Sequence, residues 1–247
     1  MNAKIFIDPG HGGDSIGAVY KGRKEQDDCL RMALAVKSLL LTQKGIEVLM
    51  SRETDINPSI TARAKQANEW GAAYFLSIHR NAANGNANGV EVWIFSKCEI
   101  GGETYQKAKN IVDSVCEKTP FGNRGVKLGA PNYVDFGVNR LTTMHSCLLE
   151  LGFIDSVSDN AVFDAYFSET ALAIAESAMS AVGLQYEPPI VKGDVDGDGK
   201  VTSTDARLIL RASVGLEKID LERADIDGDG KITASDAREA MRKSVGL

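Results

Sequence analysis

Asp194-Val195-Asp196-Gly197-Asp198-Gly199-Lys200-Val201-Thr202 returns 31 residues later as Asp225-Ile226-Asp227-Gly228-Asp229-Gly230-Lys231-Ile232-Thr233. The echo runs on through Asp205-Ala206-Arg207 and Asp236-Ala237-Arg238. It closes on Ser213-Val214-Gly215-Leu216 and Ser244-Val245-Gly246-Leu247. Clustered carboxylates repel one another unless a cation neutralises them, so each copy is expected to fold around a hard, oxygen-seeking ion. The spacing fits a calcium loop with oxygen ligands at positions 1, 3, 5, 7, 9 and 12 and a glycine at 6. In the first copy Asp194, Asp196 and Asp198 supply side chains and Lys200 a backbone carbonyl. Gly199 makes the turn, Thr202 acts through water, and Asp205 closes the loop. In the second copy the same roles fall to Asp225, Asp227, Asp229, Lys231, Gly230, Thr233 and Asp236. Two structural Ca2+ ions are therefore expected.

The position-12 residue is Asp in both copies, where the ordinary EF-hand carries Glu. One helix-like run follows each loop, Ala206 to Ser213 and Ala237 to Ser244, and no full helix precedes the first loop. This arrangement resembles the type I dockerin module, a duplicated calcium loop–helix, over 193–247. The resemblance implies a cohesin domain as partner, met by Ser203-Thr204, Ala234-Ser235 and the following Leu210-Arg211 and Met241-Arg242; a calcium-binding tail that only stabilises the protein is the alternative.

Upstream, Gln185-Tyr186-Glu187-Pro188-Pro189-Ile190-Val191-Lys192 marks a break, because adjacent prolines cannot continue a helix and favour an extended spacer. The expected organisation is a domain over 1–183, a proline-containing linker over 184–192 and the repeat over 193–247. The first region alternates strand-like and helix-like runs. Strands are expected at Lys4–Asp8, Ile46–Met50, Ala73–Ile78, Gly89–Phe95 and Ser146–Leu151. Helices are expected at 24–43, 58–70, 102–118 and 158–182. The fold class is therefore α/β, a mostly parallel twisted sheet with helices on both faces, joined to a small all-α calcium loop–helix domain.

Composition narrows the function. Net charge is −6, and residues 193–247 carry 9 basic against 12 acidic side chains. Neither half offers the basic face that nucleic acid or an anionic membrane surface demands. No run of 18 apolar residues occurs, so no transmembrane segment is expected. Cys29, Cys98, Cys116 and Cys147 match no metal clip and no dense disulfide framework, and are expected to be free thiols. The start, Met1 to Asp8, reads as a strand and not as an export signal.

The chemistry gathers at strand ends. His11 lies just past the first strand, in Asp8-Pro9-Gly10-His11-Gly12-Gly13, which matches neither GxGxxG nor the P-loop. His79 lies just past another, in Leu76-Ser77-Ile78-His79-Arg80-Asn81. Glu150 sits inside the apolar run Leu148-Leu149-Glu150-Leu151, where a carboxylate is costly unless paired or used. In parallel sheets function collects at the carboxyl ends of the strands. Two histidines and a glutamate there suit a catalytic zinc site, which keeps one position open for water. The plainer reading, separate hydrogen-bonded histidines, stands beside it.

Several segments resemble the zinc-dependent N-acetylmuramoyl-L-alanine amidases of the cell-wall hydrolase and endolysin type. They are Ile7-Asp8-Pro9-Gly10-His11-Gly12-Gly13, Lys24-Glu25, Ser51-Arg52-Glu53-Thr54-Asp55 with Arg63 and Ala67-Asn68, Ser77-Ile78-His79-Arg80-Asn81-Ala82 and Leu149-Glu150-Leu151-Gly152-Phe153. The resemblance implies that His11, Glu25 and His79 hold one catalytic Zn2+ and that Glu150 is the catalytic carboxylate. It implies peptidoglycan as substrate, cut at the amide between N-acetylmuramic acid and L-alanine. Without it, Glu25 is an ordinary helix-start charge favoured by the dipole. Asn81, Arg80 and His145 are candidates for lining the substrate cleft. Arg80 stands where the family often has a small residue, and Met144-His145-Ser146 where relatives carry Met-Pro-small. Arg52, Asp55, Arg63 and Asn68 read as a structural polar network. The expected place of action is the bacterial cell wall, reached by secretion or by phage-lysin-like release. The competing reading is a catalytically weak peptidoglycan-binding protein attached to a cohesin-bearing scaffold.

Overall fold

The structure is a computed structural model that describes residues 2–129 and 136–247. The chain divides into two compact units, Met1–Tyr186 and Glu187–Leu247. Leu184 and Tyr186, inside the expected spacer, pack against the core of the first unit.

In the first unit, β1 (Ala3–Pro9) leads through a two-stranded hairpin, β2 (Val19–Tyr20) and β3 (Arg23–Lys24), into α1 (Glu25–Leu40). Then come β4 (Ile46–Met50), α2 (Ile60–Trp70), β5 (Tyr74–Asn81), β6 (Val90–Ile94), α3 (Glu103–Lys118) and β7 (Asn123–Leu128). The unit closes with α4 (Gly137–Leu141), β8 (His145–Phe153), α5 (Val157–Ala165) and α6 (Phe167–Ala181). Six strands form one sheet in the order β4-β1-β5-β8-β6-β7. Every pairing is parallel except β6 with β8, which is antiparallel.

Local chemistry explains the boundaries. The Ser59 side chain accepts from the Ala62 N–H at the start of α2, and Gly71 ends that helix in the left-handed region. The expected single helix over 158–182 is two, α5 and α6. They meet at Tyr166, whose φ of −114° and ψ of 31° leave the helical region. β7 was not expected. It is one of the two edge strands, Asn-Arg-Gly-Val-Lys-Leu with no fully buried residue, so it lacks the apolar run that marks an inner strand.

Alternation along the strands assigns the two faces. Ile5, Ile7, Tyr74, Leu76, Ile78, Cys147, Leu149 and Leu151 join the larger core, with residues of α1, α3 and α6. Phe6, Phe75 and Leu148 point the other way and pack with Ala67 of α2 and Val138 of α4. With a period of two, Asp8, Ser77, His79 and Glu150 fall on this second face, beyond its small apolar core. The sheet order also places a switch point between β1 and β5, because the chain leaves β1 for β4 on one side and returns to β5 on the other. Ligand crevices in such sheets open there, outside the carboxyl ends of the strands.

In the second unit, α7 (Ser203–Ser213), α8 (Leu221–Ala224) and α9 (Ala234–Ser244) surround a core of Ala206, Ile209, Ala224, Ala237 and Ala240. The one-turn α8, just before the second loop, was not expected. No helix among the described residues is long and apolar enough to cross a membrane. Cys29, Cys98, Cys116 and Cys147 are free.

Candidate metal centre and catalytic cleft

The loop after β1 carries His11 in the left-handed region, at φ 59°. Non-glycine residues rarely adopt it, and such strain persists only where surrounding contacts hold it. Here they are guanidinium groups. Arg63 Nη2 donates to the His11 carbonyl at 2.7 Å, and Arg63 Nη1 to Pro9 O at 2.6 Å. Arg52 donates to Pro9 O and Gly10 O. Gly10 lies under the His79 ring, where an added Cβ would meet Cε1 at 2.3 Å. The glycine therefore serves close approach between the two histidine segments.

Glu25, the first residue of α1, stands between the imidazoles. Its Oε2 is 3.2 Å from His11 Nε2 and its Oε1 is 2.9 Å from His79 Nδ1. Backbone donors brace both oxygens: Ala18 N–H to Oε2 at 2.8 Å and Arg80 N–H to Oε1 at 3.2 Å. Burial alone would push this carboxyl up, but the hydrogen bonds and charge of His11 and His79 hold it well below the usual range. The His11 and His79 ring centroids are 5.0 Å apart, and ligand atoms of all three residues lie within 4.8 Å of one another. Two imidazole nitrogens and a carboxylate form a zinc-type donor set. The described residues hold the three close enough to share one ion.

Glu150 lies on β8 directly opposite His79 on β5 and Glu91 on β6. Its Oε2 is buried without a hydrogen-bond partner. Burial first, then the charges of Glu25 and Glu91, push its carboxyl well above the ordinary range, against a smaller pull from Arg80. These groups line a cleft of about 650 Å³. One wall carries Asp8, His11, Glu25 and His79; another is apolar, with Pro58, Ile60, Phe136, Val138 and Leu148.

The three cleft-lining candidates fare differently. Asn81 lines the cleft, with its amide donating to Glu91 Oε1 at 2.9 Å. Arg80 also borders the cleft, but its guanidinium is buried. The residue is 2% exposed, and its side chain pairs with Asp28 Oδ2 at 2.6 Å. His145 opens β8, five residues and roughly 16 Å before Glu150. It bonds Thr104 Oγ1 at 2.7 Å and lines a separate cavity of about 360 Å³. One end of a strand cannot serve a cleft at the other. Sequence reasoning passed over Glu91, although Val90-Glu91-Val92 repeats the signal that singled out Glu150, a carboxylate inside an apolar run. Glu91 is buried and accepts from Asn81, Trp93 and Arg124.

Arg52, Asp55, Arg63 and Asn68 bond backbone groups. Asp55 accepts from the Gly13 N–H, and Asn68 spans Leu141 O and the Thr143 N–H. Asp8 accepts from Ser51, Arg63 and Ser77.

In the second unit, carboxylate oxygens of Asp194, Asp196 and Asp205 gather within 4.8 Å, as do those of Asp225, Asp227 and Asp229. Asp194 and Asp225 each accept from three loop N–H groups. The Lys200 and Lys231 N–H groups donate to Asp198 and Asp229. Asp205 and Asp236 also complete capping boxes with Thr202 and Thr233, the N-caps of α7 and α9. Burial would raise these two carboxyls, but hydrogen bonds led by the Thr202 and Thr233 backbones hold both below the ordinary range.

The chain is similar to known proteins over both units. A profile described as dockerin type I domain matches residues 192–243. The N-acetylmuramoyl-L-alanine amidase CwlM of Bacillus licheniformis is 40% identical over 157 residues, 63% of this chain and 58% of the relative. The chain thus spans less than two thirds of that protein's length. An endolysin of Bacillus phage SPP1 is 30% identical over 187 residues, covering 75% of this chain and 68% of the relative. The crystal structure of an N-acetylmuramoyl-L-alanine amidase from Clostridium difficile 630 superposes with a TM-score of 0.67 at 30% identity, covering 74% of this chain and 97% of that one. A profile described as N-acetylmuramoyl-L-alanine amidase matches residues 5–180, and over these residues the chain belongs to that family.

Proposed function

We propose that the first unit is a zinc-dependent N-acetylmuramoyl-L-alanine amidase. It hydrolyses the amide between the lactyl group of N-acetylmuramic acid and the L-alanine of the peptidoglycan stem. The observation that carries this reading is the convergence of His11, Glu25 and His79 ligand atoms within 4.8 Å, beside a Glu150 oxygen that has no partner. His11, Glu25 and His79 would hold the ion. When bound, zinc would lower the pKa of a water towards about 7 and polarise the scissile carbonyl. The chain's own residues do the rest. Glu150 takes a proton from the attacking water as the carbon–oxygen bond forms. It returns that proton to the leaving nitrogen as the carbon–nitrogen bond breaks. Its raised proton affinity suits a group that must hold the proton between these steps. Asn81, braced by Glu91, faces the same cleft and would orient substrate there.

The second unit is a calcium-stabilised docking tail. Asp194, Asp196, Asp198, Lys200 and Asp205 bind one Ca2+, and Asp225, Asp227, Asp229, Lys231 and Asp236 the other. A cohesin domain is the partner this tail would take. The protein then acts on the bacterial cell wall.

Purified cell wall treated with the protein should gain free L-alanine amino termini. Glu150→Ala should lower that rate by about 10²–10⁴-fold while retaining zinc. Full activity in Glu150→Ala would reject the mechanism. Release of amino termini other than L-alanine would reject the bond assignment.

A further inference from the structure

Arg80 follows His79 directly, yet serves the opposite side of the sheet. By strand alternation its side chain shares a face with Leu76 and Ile78 and not with His79. Nη1 pairs with Asp28 Oδ2 at 2.6 Å, and Nη2 donates to Asn160 Oδ1 at 2.7 Å and to Phe153 O at 3.5 Å. The guanidinium carbon lies 4.3 Å from the Phe163 ring centroid. Of the side chains described as fully buried, that of Arg80 is the largest. Burying a guanidinium is costly unless every contact is well made, and here its Nε has no partner. Packing alone would be served better by an apolar side chain.

The contacts fall on the elements that carry metal ligands. Asp28 lies one helical turn after Glu25 on α1, so the Asp28 pair ties α1 to β5. The Arg80 backbone N–H donates to Glu25 itself. The β5 register against β8 shifts between His79 and Asn81, centred on Arg80. Such bulges re-aim side chains beside active sites. Asn160 and Phe163 add a brace from α5. One residue therefore fixes the Glu25 carboxylate from its backbone, the Glu25 helix from its side chain, and the strand position of its neighbour His79.

We propose that Arg80 is a positioning residue for the metal centre, setting the distance between Glu25 and His79 through Asp28, Asn160 and Phe163. The proposal rests on the three-ligand zinc reading above. Its test is zinc affinity measured by competition with a chromogenic chelator, together with the visible absorption of the cobalt(II) form, which reports ligand geometry. Arg80→Met keeps the volume and leaves Asp28 paired with Arg23. Ile111→Ala, in the core of α3, serves as a variant with weakened packing away from the ligands.

Arg80→Met should weaken zinc binding by roughly 10- to 100-fold and shift the cobalt spectrum, while Ile111→Ala stays within about twofold of the parent. Arg80→Met that is folded and binds zinc like the parent overturns the proposal. So does an equal loss in Ile111→Ala, which would make the effect one of general stability. Should Arg80→Met fail to fold, Arg80→Lys decides. Lysine keeps the Asp28 pair but loses the planar fork, so affinity should fall by about threefold or more, and parental affinity overturns the proposal. A parent protein that binds no zinc would refute the three-ligand reading instead.

Discussion

Glu150 holds a buried carboxyl between His79 and Glu91, and the consequence is measurable without substrate. In the metal-free protein the unfolded chain ionises this group near its ordinary value of about 4.3, while the folded protein keeps it protonated to higher pH. Unfolding then releases a proton, so this group's contribution is fully present below that value and is lost as pH rises towards the folded value. Glutamine cannot ionise. Metal-free Glu150→Gln should therefore match the parent near about pH 4 and exceed it in melting temperature increasingly towards about pH 7. A constant difference across that range would show that Glu150 is ionised in the folded state. Arg63 has the opposite character. It is 4% exposed, pairs with the 1% exposed Asp8 and holds the strained His11 loop by its carbonyls. Arg63→Ala strands a buried carboxylate and should cost about 3–5 kcal/mol in a denaturant titration.

Among the elements, the two capped helices of the tail show one residue serving two roles. Thr202 and Thr233 are loop position 9 and helix N-cap together, and Asp205 and Asp236 are position 12 and the third helical residue. Thr202→Ala should lower the stability of the second unit by about 0.5–2 kcal/mol even without calcium, because the cap is lost. Thermal unfolding in chelator would show this as a lower tail transition. An unchanged transition would mean that the box forms only around the ion. The strand β8 shows the reach of a single element: Glu150 near its carboxyl end serves the cleft, whereas His145 at its start serves the Thr104 side of the sheet.

At the scale of the whole molecule, the two units should answer to two different metals. Calcium should raise the melting transition of Glu187–Leu247, by RT ln(1 + [Ca2+]/Kd) in free energy for each site. Asp194→Ala combined with Asp225→Ala should abolish the shift. Zinc returned to chelated protein should restore amide cleavage without calcium. Calorimetry and amino-terminus release on the same sample separate the two. A tail transition indifferent to calcium would reject the loop assignment.

The sequence alone determined what depends on short range. The 31-residue repeat names its own loops, because calcium ligands sit at fixed intervals along one segment. The alternating runs name every strand of the six-stranded sheet except polar β7, and the glycine-rich loop and apolar Glu150 run mark the strand ends. Tertiary structure decided what depends on facing and register. Glu25 meets two histidines only because α1 begins beside the carboxyl ends of the paired strands β1 and β5. Glu91 meets Glu150 only because β6 runs antiparallel to β8. Arg80 and His79 are adjacent in sequence but serve opposite faces, since successive side chains on a strand point apart. The physical reason is common to all three. A ligand loop is closed by local geometry, whereas a site shared among strands exists only once the sheet order and register bring distant residues to one edge.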